Sequence, residues 1–280
     1  MAADPPPDRR RTGRVPYNDL DLDRWRELND VWTDSLWLIP SREKGDGHRL
    51  EYHGNFVPQI ATQLFRRFAR EGDVVLDLFL GSGTSAIEAV RMNRRCLGVE
   101  LQSELLDHVR ERLPEAVADG RVRLLQGDSS RAKTRDRVRR ELCAAFQQEH
   151  ADLLVLHPPY DDIIQFSEHP ADLSNQADTQ AFLRAFGRVA RHGYALLQPG
   201  RFAALVIGDK YAASQLAPLG FLCMQAMNRA GFRTRSIVVK NIVGNEAAKG
   251  RASNLWRYRA LKHGFYIFKH EYVMVFQKPV

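Results

Sequence analysis

The sequence predicts an α/β fold, a seven-stranded mostly parallel sheet with helices on both faces and the last two strands an antiparallel hairpin. Short apolar runs alternate with amphipathic helical segments, as strands buried on both faces require. The final two runs, 234–240 and 272–277, are joined by a connection in which no long helix is read, so they are expected to pair antiparallel. The chain has 280 residues, 44% hydrophobic and 27% charged, which suits one large domain with a small appendage.

Taken in order, residues 1–15 are rich in Pro and Arg and read as a disordered tail. Residues 17–40 carry Trp25, Trp32 and Trp37 among acids, expected as a helix and an extended segment packed on the main domain. A helix over about 57–70 leads into the strand 74–80 and the loop Gly81-Ser-Gly-Thr84. A helix ended by Asn93 follows, then strands 96–100 and 122–126 with the helix 103–113 between them. A helix near 132–149 precedes the strand 152–156 and His157-Pro-Pro-Tyr160. A long helix over about 177–197 stops at Gln198-Pro-Gly200 before the strand 202–207, and a helix over about 216–230 ends at Gly231. No internal repeat is evident.

Charge is unevenly placed. The chain is +7, yet between Arg229 and Lys269 ten Lys or Arg face a single acid, Glu246, so an acidic partner is expected to meet that stretch. A second basic run, 131–140, reads as the first turns of a solvated helix. The three cysteines, Cys96, Cys143 and Cys223, lack CxxC or Cys/His spacing, so no disulfide framework and no metal site is expected, and a reducing, cytoplasmic setting is the default. No apolar run approaches the roughly 18 residues that span a bilayer, and the N-terminus has no apolar signal core, so no membrane partner is expected.

In open α/β sheets a ligand lies beyond the carboxyl ends of the strands, where strand order reverses. The first strand here ends in Asp77-Leu-Phe-Leu-Gly81-Ser-Gly83-Thr84, whose glycines permit a tight turn and close approach of a ligand. Glu100, at the end of the second strand, can accept from both hydroxyls of a ribose, and Asp128 after the third is placed to meet an adenine edge. The loop lacks the third glycine of GxGxxG and has no GK[ST], which weakens dinucleotide and nucleoside-triphosphate readings. A nucleoside cofactor of unnamed kind remains. At His157-Pro158-Pro159-Tyr160 two prolines end the strand and leave the Pro158 carbonyl free to accept, while Tyr160 can stack on a planar ring. A rigid acceptor beside an aromatic platform suits an extruded base that presents an NH2 group.

Together, Asp77-Leu-Phe-Leu-Gly-Ser-Gly-Thr84 and His157-Pro-Pro-Tyr160 resemble the amino-methyltransferases of DNA, the N6-adenine and N4-cytosine family. His53-Gly-Asn55-Phe56-Val-Pro58, before a helix, is similar to that family's additional cofactor segment. The resemblance covers about residues 36–280 and implies a Rossmann-like class I methyltransferase domain, with residues 1–35 a tail and helical extension and a basic recognition insert around 241–266. It implies that His53, Asn55, Phe56, Asp77, Phe79, Gly81, Ser82, Gly83, Thr84, Glu100, Leu101, Asp128 and Ser129 hold S-adenosylmethionine. His157, Pro158, Pro159 and Tyr160 would form the catalytic loop. The order, glycine loop before catalytic loop, differs from the permuted arrangement of many members. The first catalytic position, usually Asp, Asn or Ser, is His157, which leaves the base open, with cytosine N4 slightly favoured over adenine N6.

The expected activity is S-adenosylmethionine-dependent DNA methylation on a flipped base, of the restriction-modification kind, with an RNA amino-methyltransferase as the alternative. Lys249, Arg251, Trp256, Arg257, Tyr258, Arg259 and Lys262 interleave aromatics with cations and are expected to grip the nucleic acid. Cytosine C5 chemistry is disfavoured, because it needs a thiolate, usually after proline, and no cysteine follows a proline. If His157 accepts from the target NH2, transfer should fall as pH drops through an imidazole pKa of about 6.5 when unperturbed.

Overall fold

The computed structural model describes residues 16–43, 55–161, 164–212, 215–242 and 253–280. The expected tail, the cofactor-segment residue His53, and the basic residues Lys249 and Arg251 lie outside them.

The strands in chain order are β1 (Leu36–Trp37), β2 (Val74–Asp77), β3 (Arg95–Glu100), β4 (Val122–Gln126), β5 (Ala151–Leu156), β6 (Leu197–Ile207), β7 (Lys210–Ala212), β8 (Gln215–Ala217), β9 (Arg233–Asn241) and β10 (His270–Gln277). Eight of them form the main sheet, one more than the sequence predicts, ordered β1-β9-β10-β6-β5-β2-β3-β4. The added strand, β1, is two residues long and runs parallel to β9. β10 lies between β6 and β9 and pairs antiparallel with both, so the expected antiparallel pairing of the last two strands holds. The other described pairings of this sheet are parallel. β7 and β8 form a separate antiparallel pair, and β8 occupies what the sequence suggests is the start of a helix.

Helices α1 (Pro58–Phe68), α2 (Thr84–Arg91), α3 (Ser103–Arg112), α4 (Pro114–Ala118), α5 (Ala132–Phe146), α6 (Thr179–Leu196) and α7 (Leu219–Arg229) flank the sheet, α8 (Ser253–His263) precedes β10, and a short 3-10 helix, Leu22–Glu27, stands where the N-terminal helix is expected. The connection between β9 and β10 therefore contains an 11-residue helix, α8, contrary to the sequence reading. Its described side chains form no buried stripe: Leu255, Tyr258 and Leu261 are all exposed. With no core face, its sequence has no apolar period to read.

The sheet is apolar on both faces, and its strands alternate between two cores. Val74 and Leu76 of β2, Leu154 and Leu156 of β5, and Leu205 and Ile207 of β6 face one layer with Phe182 and Phe186 of α6. Val75, Leu153, Val155, Ala204 and Val206 face the other, with Ile60, Leu64 and Phe65 of α1. The N-terminal segment packs on this second side. There Tyr17 meets Phe202 edge-on at 4.7 Å, and Gln63 bonds both the Trp32 amide and the Asp30 carbonyl.

Two boundaries differ from expectation for local reasons. β2 stops at Asp77, not at Leu80: the Asp77 carboxylate accepts from the Phe79 amide at 2.9 Å and bends the chain there, although the Leu80 amide still bonds the Val99 carbonyl of β3 at 3.0 Å. β6 begins at Leu197, before Pro199 and Gly200. Leu197 pairs with Ala151, then Phe202 pairs with Leu153, and the residues between bulge out with Gly200 at φ 81°.

Gly98 of β3 lies opposite Asp77, and a Cβ added there would come within 2.4 Å of Leu80 Cδ2 and 2.9 Å of its Cγ. Leu80 is buried in the loop that follows β2. Gly98→Ala is expected to destabilise the protein by about 1–3 kcal/mol, since close packing gives the leucine no free volume to enter. A urea unfolding midpoint unchanged by the substitution would contradict this.

Candidate active site

Strand order departs in both directions from the β2–β5 pair, through β3 and β4 on one side and through β6 on the other. The crevice at this reversal lies beyond the carboxyl ends of β2 and β5. β2 delivers the glycine loop there, and β5 delivers His157-Pro-Pro-Tyr160. The fold thus brings together, at one crevice, two motifs carried on separate strands.

The glycine loop is built around two buried carboxylates. Asp77 accepts from the Phe79 amide and from Ser85 Oγ, which holds the loop to the first turn of α2. Burial pushes its pKa up to about 6, against the lowering effect of those hydrogen bonds. Glu100 Oε2 accepts from the Gly81 amide at 2.8 Å, and its Oε1 accepts from Leu101 and Gln102 at 2.8 and 3.0 Å. Burial also raises the Glu100 pKa, and the three amides oppose that rise. Gly81 and Gly83 have φ of 55° and 90°, and a Cβ on Gly83 would approach Val109 of α3 to 2.7 Å.

Around this loop, Ser82 Oγ donates to Asn55 Oδ1 at 2.7 Å, which ties Asn55, three residues before α1, to the glycine loop. Ser129 Oγ donates to the Leu78 carbonyl at 2.7 Å. Asp128 accepts from the Ser130 amide and pairs with the exposed Arg131. Phe56 and Thr84 are buried, whereas Phe79 is half-buried. Two surface clefts, one along α5 at Asp136 and Cys143 and one between α6 and α7 at Leu183 and Leu222, are lined by none of these residues.

On the other side, the His157 ring meets Phe56 edge-on at 5.2 Å and Tyr160 at 5.7 Å. His157 Nε2 lies 3.4 Å from the Tyr160 hydroxyl, which donates to Glu271 Oε2 at 2.7 Å. Glu271 Oε1 accepts from Lys240 Nζ at 2.9 Å, and both charged residues are buried. His157 keeps an accessible edge, but desolvation by the surrounding protein lowers its pKa to about 4, outweighing the opposing pull of Glu271. Desolvation and Glu271 raise the Tyr160 pKa well above its usual value. Asp161, at φ 54°, is held by Lys210 and by Thr179 Oγ1, each at 2.7 Å. Sequence reasoning missed Lys240, Glu271, Lys210 and Asp161. The available signal was a charge inside or bordering an apolar strand, as in Ile237-Val-Val-Lys240 and Glu271-Tyr-Val-Met274.

The connection from β9 to β10 leaves from the carboxyl edge, because β9 is parallel to β5 and β6. On α8, Arg257, Tyr258, Arg259 and Lys262 are exposed, with Arg259 over the Trp256 ring at 5.5 Å and Lys262 over Tyr258 at 5.9 Å. Tyr211 of β7 stacks on Phe268 at 4.8 Å and donates to the Tyr266 carbonyl, tying the β7–β8 pair to the end of this connection. Among the described residues, no helix is long and apolar enough to cross a membrane.

Residues 7–111 match a family model described as DNA methylase. The chain is 34% identical over 94 residues to the type II methyltransferase M2.DpnII of Streptococcus pneumoniae, covering 33% of each chain. It is 32% identical over 93 residues to the type II methyltransferase M.BglI of Bacillus subtilis, covering 33% of this chain and 24% of that one. The chain thus spans a third or less of the length of these two relatives. Among solved structures, TrmN from Thermus thermophilus has a TM-score of 0.48 at 21% identity, over 81% of this chain and 50% of that one. Over residues 7–111, which include the glycine loop and Glu100, the chain is thus similar to DNA methylases.

Proposed function

We propose that the protein transfers a methyl group from S-adenosylmethionine to an exocyclic amino group of a flipped DNA base, with cytosine N4 slightly favoured over adenine N6. The observation that carries this reading is the meeting of the glycine loop and His157-Pro-Pro-Tyr160 at one strand-order reversal.

The residues present fit the cofactor. Three amides occupy three of the roughly four acceptor positions of the Glu100 carboxylate, leaving Oε2 able to take one ribose hydroxyl. The expectation that Glu100 serves both hydroxyls thereby narrows to one. The half-buried Phe79 ring and Asp128 would border the adenine, and Asn55, Ser82 and Gly81 would line the remainder. When bound, S-adenosylmethionine supplies an electrophilic methyl on a sulfonium. A neutral His157 and the Pro158 carbonyl would accept from the target NH2, turning its lone pair toward that methyl. The exposed cations of α8 would hold phosphates, within a basic recognition insert around 241–266, while residues 1–35 would serve as an extension.

Radiolabelled methyl transfer offered DNA, RNA and protein is expected to label DNA, and mass analysis of the nucleosides identifies the base. Label in RNA alone would move the substrate to that polymer, and label in protein alone would overturn the proposal. Glu100→Ala is expected to weaken S-adenosylmethionine binding by about 1.5–3 kcal/mol, measured calorimetrically. Replacing Arg257, Arg259 and Lys262 together should reduce the salt dependence of DNA binding by up to about three units of slope; an unchanged slope places the DNA elsewhere.

The pH dependence also follows. With a folded pKa of about 4, His157 stays neutral through pH 5.5–8. Single-turnover transfer should therefore show no His157 limb near 6.5 but should fall toward pH 4. A lowered histidine pKa contributes stability that is fully present above the unfolded value. It is lost as pH falls from 6.5 toward 4, by up to about 3 kcal/mol, reduced by whatever solvation the accessible ring edge retains. His157→Asn should lose correspondingly less in chemical denaturation across that window, and an identical loss in both proteins would count against a neutral ring held away from water.

A further inference from the structure

We propose that Lys240, Glu271 and Tyr160 are positioning residues that fix the tautomer of His157, placing its proton on Nε2 and leaving Nδ1 as the acceptor. The hydrogen-bond directions follow one after another. Lys240 has only donors, and it occupies Glu271 Oε1 at 2.9 Å. Glu271 Oε2 takes the single hydroxyl proton of Tyr160 at 2.7 Å. The Tyr160 oxygen can then only accept from His157 Nε2, 3.4 Å away, so that nitrogen carries the proton. Lys240 and Glu271 are direct cross-strand partners on β9 and β10, which fixes the pair on the sheet. The Phe56 ring also packs on the imidazole, near-perpendicular with centroids 5.2 Å apart. Among the described residues Nδ1 has no hydrogen-bond partner, so it is available to a substrate donor.

The tautomer stands independently of the reaction, whereas its use to accept a base NH2 rests on the function proposed above. Glu271→Gln tests the chain of directions. Its amide oxygen must turn toward the Lys240 ammonium, so its NH2 faces Tyr160 and donates to the phenol oxygen. The Tyr160 proton is released toward His157 Nε2, and the ring proton moves to Nδ1.

Nitrogen-15 NMR of histidine-labelled protein near pH 7.5, with His157 assigned by the spectrum of His157→Asn, reads both nitrogens directly. The wild type is expected to show Nε2 protonated and Nδ1 bare, and Glu271→Gln to reduce that form roughly tenfold or more. Tyr160→Phe should leave a mixture of tautomers. A wild-type proton on Nδ1 overturns the proposal without any variant, as does an unchanged tautomer in a folded Glu271→Gln protein. In single turnover Glu271→Gln should slow methyl transfer with S-adenosylmethionine affinity unchanged. The expected tautomer with no transfer to any base would refute the function and leave the relay standing; transfer by a wild type protonated on Nδ1 would do the reverse.

Discussion

A carboxylate shut away from water is costly unless donors surround it, and Glu100 meets that demand with three backbone amides. One of them, from Gly81, belongs to the loop after β2, so satisfying the acid at the end of β3 also shapes that loop. Asp77 does the same from β2 through Phe79 and Ser85. The loop's form is therefore dictated by two acids at adjacent strand ends. The glycines answer that demand: Gly81 and Gly83 take the positive φ that the turn needs.

The opposite wall uses the same chemistry with side chains in place of amides. Glu271 is satisfied by Lys240 and Tyr160, and Asp161 by Lys210 and Thr179. Tyr160 is consequently anchored at its hydroxyl, and its ring lies against Gly208, where an added Cβ would approach it to 3.0 Å. The rigid phenol ring follows from that hydrogen bond and contact, and the neutral imidazole from desolvation.

The parallel core was legible because its strands are apolar on both faces and its helices carry buried stripes. The glycine loop and the proline pair were legible because each imposes a backbone geometry that few other residues accept. The β7–β8 pair was not: its strands are three residues each, too short for a period of two to register. α8 was missed because its described side chains form no buried stripe. Lys240 and Glu271 lie 31 residues apart, and only the register of β9 against β10 makes them partners. The same distance from sequence explains the pH expectation of about 6.5: desolvation of His157 is a property of the assembled crevice, which moves the value to about 4.

The reversal of β10 has a chemical consequence. A parallel strand would present its last residues at the carboxyl edge, but β10 runs the other way and presents its first, so His270 and Glu271 arrive beside the ends of β6 and β9. Tyr272 pairs with Ile207, the last residue of β6, and Glu271 lies one position further toward the crevice. The reversal also makes the connection from β9 leave and return at that same edge, which carries α8 and its exposed cations to the side where His157-Pro-Pro-Tyr160 lies. One antiparallel strand thus supplies both the acid that orients Tyr160 and the tether of the basic helix.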